Sequence, residues 1–274
     1  MSSDDLNRVL LKLHYVGSKF HGWQLQPDQR TVQGEIEAVL ERISGSRRPV
    51  IGSGRTDTGV HAIGQIAVVD MPAKWTMPRL HRALDGLLPE DVWVEEVRVV
   101  PRDFHPRYDA VARSYIYRVG LERSAMSPFH RPWCWSLQES LDLGLMAEAS
   151  TALLGDHSFL AFAKAGQPER GDRCTVHAAD WAPWNGLGVA FTITANRYLH
   201  HMVRYLVGTL VDVGRGRRPI EDVARLLAEP EGSLRTSPPA PPEGLYLALV
   251  EYPEAAYEQL TPDHTSLPDA LHSR

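Results

Sequence analysis

The residues best equipped for chemistry sit in one run of eleven, GSGRTDTGVHA, from Gly52 to Ala62. Its single carboxylate, Asp57, stands two residues after Arg55 and between the hydroxyls of Thr56 and Thr58, with glycines at 52, 54 and 59. Glycine permits backbone conformations closed to other residues, so this loop can turn sharply and let a substrate approach the main chain. A carboxylate beside a guanidinium suits nucleophilic or proton-transfer work. It does not suit a phosphate cradle. The GxGxxG pattern breaks because Asp57 stands at its third glycine, and GxxxxGK[ST] breaks because Val60 follows Gly59. An anionic Asp57 would also repel a pyrophosphate. The ordinary alternative for a loop aspartate is a bond to its own backbone or a helix cap.

The flanking patterns supply the frame. Val9, Leu11 and Leu13 alternate with other residues as a strand ending at Tyr15-Val16-Gly17, and Thr31 offers an N-cap to a helix carrying Val32, Ile36, Val39, Leu40 and Ile43 and closing near Gly45. After the loop the spacing predicts a strand over Gln65–Asp70, a helix with Leu80, Leu84, Leu87 and Leu88 that stops at Pro89, and strands at Val92–Val100 and Ala112–Gly120. A Pro- and Trp-rich connection over 121–140 precedes a helix at Leu141–Leu154, strands at Val176–Trp181 and Leu187–Ala195, and a helix at Leu199–Val213. Pro219 fits the first turn of a helix through Ala228, and the last strand is Leu245–Tyr252. Alternating strands and helices of this kind predict an α/β (α+β) fold of two similar domains that share or join their sheets. We place them at 1–105, carrying the loop, and 106–257, with a tail at 258–274.

Composition narrows the function class. A chain of 274 residues with 43% hydrophobic content can bury a sizeable core, and no stretch approaches the roughly 18 apolar residues of a membrane span. The start, MSSDDLNRVL, lacks a basic head followed by an apolar run, so a cytoplasmic protein is expected. Cys134 and Cys174 are too few for a disulfide scaffold, and the 12 histidines form no metal-binding pair, so no metal is expected. The net charge of −5 conceals an uneven spread. Residues 221–274 hold ten acids and three arginines, leaving 26 bases against 24 acids in 1–220. Basic clusters there, at Arg47-Arg48 with Arg55, at Arg102 to Arg118, and at Arg197, Arg204, Arg215, Arg217 and Arg218, are either solvated surface or the wall of an RNA cleft.

Five segments carry a resemblance. Besides the loop, they are Tyr15-Val16-Gly17-Ser18-Lys19-Phe20-His21-Gly22-Trp23-Gln24, then DFHPRYDAVARSYIYRV at 103–119, NRYLHHMVRYLVGTLVDVGRG at 196–216 and PEGLYLALVEY at 242–252. In this order they resemble the TruA family of tRNA pseudouridine synthases from about residue 8 to 253. Val16 stands where the family usually has aspartate, and Leu87 where it often has asparagine. The resemblance implies the pseudouridine synthase fold, with extended mixed, largely antiparallel sheets flanked by helices. It also implies a homodimer that binds tRNA and, without cofactor, isomerises uridines 38, 39 and 40 of the anticodon arm.

Carried over residue by residue, the resemblance makes Asp57, Tyr115 and Arg204 catalytic and puts Leu245 at the pocket. Isomerisation breaks the N1–C1′ bond, turns the base and rejoins it through C5. A carboxylate can attack C1′, add to C6 or abstract a sugar proton, and the sequence leaves these open; an aspartate nucleophile is the reading taken. Arg204 would hold Asp57 charged, Tyr115 would stack on the base, and Arg55 would fill the space of the flipped nucleotide or pair with phosphate. Arg215, Arg217 and Arg218 are candidate tRNA contacts. His200, four residues before Arg204, could share its helix face. Two rivals are weighed: a non-catalytic RNA-binding module, which has no need of Asp57, and a glycoside or nucleoside hydrolase, which needs paired carboxylates or an Asp-rich metal loop absent near Asp57.

Overall fold

A computed structural model describes residues 5–164, 171–253 and 256, so the expected tail at 258–274 lies outside the described residues. The described chain is mixed α/β, with ten strands and five α-helices among these residues. It divides into two compact units. Among the described residues, one takes those up to Val111 and those of 247–253 and 256, and the other takes those of Ala112–Tyr246.

In the first unit, β1 (Leu6–Tyr15) is followed by α1 (Val32–Ser44), β2 (Ile51–Gly52), β3 (His61–Pro72), α2 (Met77–Leu87) and β4 (Val92–Val99). β1 pairs antiparallel with β3 on one side and β4 on the other, and β2 extends the β3 edge. Val9, Leu11 and Leu13 are fully buried, as the alternation requires. α1 begins where Thr31 accepts a bond from the Gly34 N–H and ends at Gly45, whose φ of 80° closes the last turn. β3 starts at His61, four residues ahead of expectation. Within it Gly64 is a packing site, because a Cβ there would lie 2.1 Å from the Ala248 carbonyl oxygen.

The second unit runs through β5 (Ala112–Gly120), β6 (Trp135–Ser136), α3 (Leu143–Thr151), β7 (Gly155–Ser158), β8 (Arg173–Trp184), β9 (Gly188–Ala195), α4 (Met202–Gly214) and α5 (Glu221–Ala228). β9 lies antiparallel between β5 and β8, β7 is antiparallel to β8, and the short β6 is parallel to β5. β7, GDHS, has no apolar alternation that could announce it; pairing with Arg173–Val176 makes it a strand. α4 is buried around most of its circumference, including Val203, Leu206, Val207, Leu210 and Val211. Each such side chain contributes roughly 1.5–3 kcal/mol. The last strand, β10 (Leu245–Glu251), carries the chain from the second unit back into the first. Both cysteines are free and buried. Among the described residues no helix is long and apolar enough to cross a membrane.

Candidate active site

The Asp57 loop is the short connection between β2 and β3, and the segment after β1 builds its back wall. The Trp23 N–H donates to the Thr56 carbonyl at 3.1 Å, and the Gly59 N–H donates to the Phe20 carbonyl at 3.4 Å. Asp57 closes a turn of its own, its carbonyl accepting from the Val60 N–H at 3.1 Å. These contacts bring backbone against backbone, which explains the glycines of the first motif. A Cβ at Gly17 would lie 2.0 Å from the Val60 carbonyl oxygen, and one at Gly22, where φ is +86°, 2.6 Å from that of Thr56. Among the loop's own glycines, Gly59 has a φ of +81° and Gly52 lies under the Trp23 indole. Gly54 meets neither constraint, since nothing lies within 4 Å of where its Cβ would be.

A buried polar network grips the same loop. The Tyr15 hydroxyl and Thr56 Oγ1 are 2.7 Å apart. Gln65, fully buried on β3, accepts from Ser53 Oγ at 2.7 Å and donates to the Gly54 carbonyl at 2.9 Å. Thr56 is therefore held through both its hydroxyl and its carbonyl, while Arg55 is exposed and Asp57 half-buried. Arg30 supports the wall: its guanidinium stacks 4.1 Å from the Phe20 ring centre and grips Asp91 through bonds of 2.7 and 2.8 Å, with Glu35 at 2.7 Å. Hydrogen bonding from Arg30 holds the Asp91 carboxyl below the usual carboxylate range despite partial desolvation.

The remaining expected site residues lie in the second unit. Tyr115 and Tyr117 share one face of β5. Tyr115 is 9% exposed and meets the Tyr198 ring edge-on, with centroids 4.8 Å apart. Tyr117 is fully buried, donates to the Pro241 carbonyl at 2.7 Å and packs against Gly244, so it anchors the turn leading to Leu245. Burial pushes the Tyr117 hydroxyl well above its ordinary pKa. Arg204 is half-buried in the first turn of α4, where its Nε donates to the Ala240 carbonyl at 2.7 Å and its own carbonyl accepts from the Ala240 N–H at 2.9 Å. His200 does not share its helix face. His201 adopts a φ of +64°, α4 starts only at Met202, and His200 stays in the preceding turn.

The three arginines after α4 differ. Arg215 is 14% exposed and clamped to Glu139 at 2.6 and 3.0 Å and to Asp212 at 3.1 Å. Arg218 pairs with Asp222 at 3.0 Å. Arg217, 63% exposed, lies 3.9 Å from Asp212 and keeps most of its charge toward water. Arg215→Gln is expected to destabilise the chain by roughly 1–3 kcal/mol, and Arg217→Gln by less than about 0.5 kcal/mol, as read from urea unfolding midpoints.

A family described as tRNA pseudouridine synthase matches residues 13–109 and 149–253. The tRNA pseudouridine synthase A of Myxococcus xanthus is 41% identical over 245 residues, covering 89% of this chain and 92% of its own. That of Halalkalibacterium halodurans is 42% identical over 225 residues, covering 81% and 84%, and that of Geobacter sp. (strain M21) 36% over 249 residues, covering 91% and 100%. The chain belongs to the tRNA pseudouridine synthase family. It is accordingly an isomerase with the pseudouridine synthase fold. The matched segments of this family member contain Arg55, Asp57, Arg204 and Leu245; Tyr115 falls between them. Sequence reasoning missed Gln65 and Arg30, which support the Asp57 loop. Gln65 stands three residues after the loop's last motif position, inside an apolar strand, and a glutamine in such a strand is the signal that could have marked a buried clamp.

Proposed function

We propose that this synthase isomerises uridines 38, 39 and 40 in the anticodon arm of tRNA, as a cytoplasmic homodimer and without cofactor or metal, with Asp57 as nucleophile. The observation that carries this reading is the fixing of Thr56, immediately before Asp57, by a backbone bond from Trp23 and a side-chain bond to Tyr15. Pre-set geometry of this kind lets a lone carboxylate reach a sugar or base carbon without first ordering its loop. Attack at C1′ would break the C1′–N1 bond, the base leaving with the electron pair on N1; after rotation C5 attacks C1′ and displaces the carboxylate, C5 loses its proton and N1 gains one. Addition at C6 would use the same carboxylate and the same rotation. Tyr115, held edge-on by Tyr198, supports a stacking role against the base, and the exposure of Arg55 suits it to phosphate or to the space left by a flipped nucleotide. Mapping pseudouridine in unmodified tRNA transcripts by carbodiimide-dependent reverse-transcriptase stops tests the assignment. Stops at 38, 39 or 40 are expected, and stops only at other sites would reject the positions.

Two substitutions test the roles. In this reading the Tyr115 hydroxyl also helps remove the C5 proton, so Tyr115→Phe, which keeps the stacking, should lower turnover on the order of 10²-fold, while Tyr117→Phe should cost about 0.5–1.5 kcal/mol of stability with turnover nearly intact. Equal turnover in the two variants would assign Tyr115 to packing. Arg204→Lys keeps the charge but cannot reproduce the guanidinium fork, and a loss on the order of 10²-fold in kcat is expected with tRNA affinity within a few-fold. Full activity in Arg204→Lys would remove the fork from the mechanism.

A further inference from the structure

The second unit holds a cavity of about 300 Å³ lined by Arg118, His130, Trp133, Trp184, Asn185 and Leu187. Its cation is unusual in how it is kept. The Arg118 guanidinium carbon lies 4.5 Å from the Tyr246 ring centre and 5.2 Å from that of Trp184. Nη1 donates to the Tyr246 hydroxyl at 3.3 Å, and that hydroxyl donates onward to the Trp133 carbonyl at 2.9 Å. Nε is buried without a hydrogen-bond partner. Among the described residues no carboxylate lies within ion-pair distance of Arg118, in contrast to Arg8, Arg30, Arg215 and Arg218, each of which has one. A positively charged side chain is thus held between two rings in the cavity lining, with no carboxylate at ion-pair distance to neutralise it.

A cation without a counter-charge in an aromatic-walled cavity calls for an oxyanion joined to a flat or apolar group. The size agrees. About 300 Å³ is the lower end of the range for small-ligand sites, enough for a phosphate with its ribose and part of a base. We infer that this cavity is a phosphate subsite for one nucleotide, with Arg118 as the charge and the Trp133, Trp184 and His130 rings as its wall. Assigning that phosphate to the RNA backbone rests on the tRNA-modifying reading above; the anion site itself does not. A free nucleotide offers the same chemistry, so the test separates the two sources.

Isothermal titration calorimetry of the full chain with 5′-UMP, inorganic phosphate and uridine tests the site. UMP should bind more tightly than phosphate, and uridine should give no heat at the same concentration. Arg118→Met should weaken UMP at least tenfold. Asn185→Asp places a negative charge on the exposed lining, at a residue whose φ of +47° aspartate tolerates, and leaves the ring stack untouched; a comparable loss is expected, which decides the matter should Arg118→Met fail to fold. Arg123→Gln, on the same segment but outside the lining, should bind UMP as the parent does. In salt titrations of tRNA binding, Arg118→Met or Asn185→Asp should flatten the slope by roughly 0.7–0.9, one phosphate contact, if the RNA backbone fills the site. Lost UMP binding with an unaltered tRNA slope assigns it to a free nucleotide. Unaltered UMP affinity in folded Asn185→Asp and Arg118→Met overturns the proposal. A chain that binds UMP but forms no pseudouridine keeps the subsite and loses only the functional reading.

Discussion

Asp57→Asn is expected to reduce pseudouridine formation by about 10⁴-fold or more while tRNA affinity stays within a few-fold of the parent. The reasoning starts from what the substitution leaves alone. Asparagine keeps the shape of the side chain, and the bonds that set the loop come from neighbours: Trp23 to the Thr56 carbonyl, Tyr15 to the Thr56 hydroxyl, Gln65 to Gly54, and the Asp57 carbonyl to Val60. None requires the carboxylate. The thermal midpoint, measured beside the rate, separates lost chemistry from unfolding. What disappears is the negative charge of the loop's single acid, and with it the oxygen proposed as nucleophile. In the proposed reading tRNA is held by cations and surface elsewhere on the chain, so kcat should fall and the tRNA dissociation constant should not. Single-turnover assays with excess enzyme separate the two. Pseudouridine formation by Asp57→Asn within tenfold of the parent would return this aspartate to the role of a turn residue.

The legible parts of the molecule were those in which local chemistry and tertiary demand agree. The α1 boundaries follow from Thr31 and Gly45, which cap the helix as their residue types propose. The bounds of β5 match the alternation over Ala112–Gly120. The mixed α/β class came from strands and helices taking turns. Errors fell where distant backbone decides. β3 begins early because its first residues pair with the end of β1, Ala62 opposite Tyr15, a partnership with no local trace, and β7 exists through pairing alone. α4 starts late because His201 enters the left-handed region, which few non-glycine residues do. In the candidate loop the sequence singles out the acid and hides what holds the loop. Asp57 stands out as a lone carboxylate among glycines. The clamp by Gln65 and Tyr15 joins residues 50 apart, and the Arg30–Asp91 pair spans 61, separations that no periodicity encodes. The same holds for the arginines after α4, whose cluster in sequence hides that Arg215 and Arg218 are already matched by Glu139 and Asp222.

The glycines of the first motif should show the largest structural effects. At Gly17 a methyl group would sit 2.0 Å from the Val60 carbonyl oxygen, a distance real contacts do not show, and both partners are backbone. Neither can swing aside as a side chain would, so Gly17→Ala should cost about 3 kcal/mol or more and lower the urea midpoint accordingly. Gly22 combines two demands: a φ of +86° and a closest approach of 2.6 Å to the Thr56 carbonyl. The backbone conformation alone costs an alanine roughly 1–2 kcal/mol, and relieving the contact pushes Thr56 outward, taking Asp57 with it. A displacement approaching 1 Å at a reacting group lowers rates on the order of 10²-fold. Gly22→Ala should thus lose catalysis out of proportion to its stability, with kcat reduced in the folded fraction and tRNA binding retained. Gly54→Ala is the control within the loop itself, since its Cβ would meet no protein atom within 4 Å and its backbone is not left-handed, so stability should change by less than about 0.5 kcal/mol. If Gly22→Ala folds and turns over at the parent rate, the wall built by the segment after β1 does not position Asp57, and the glycine there serves packing alone.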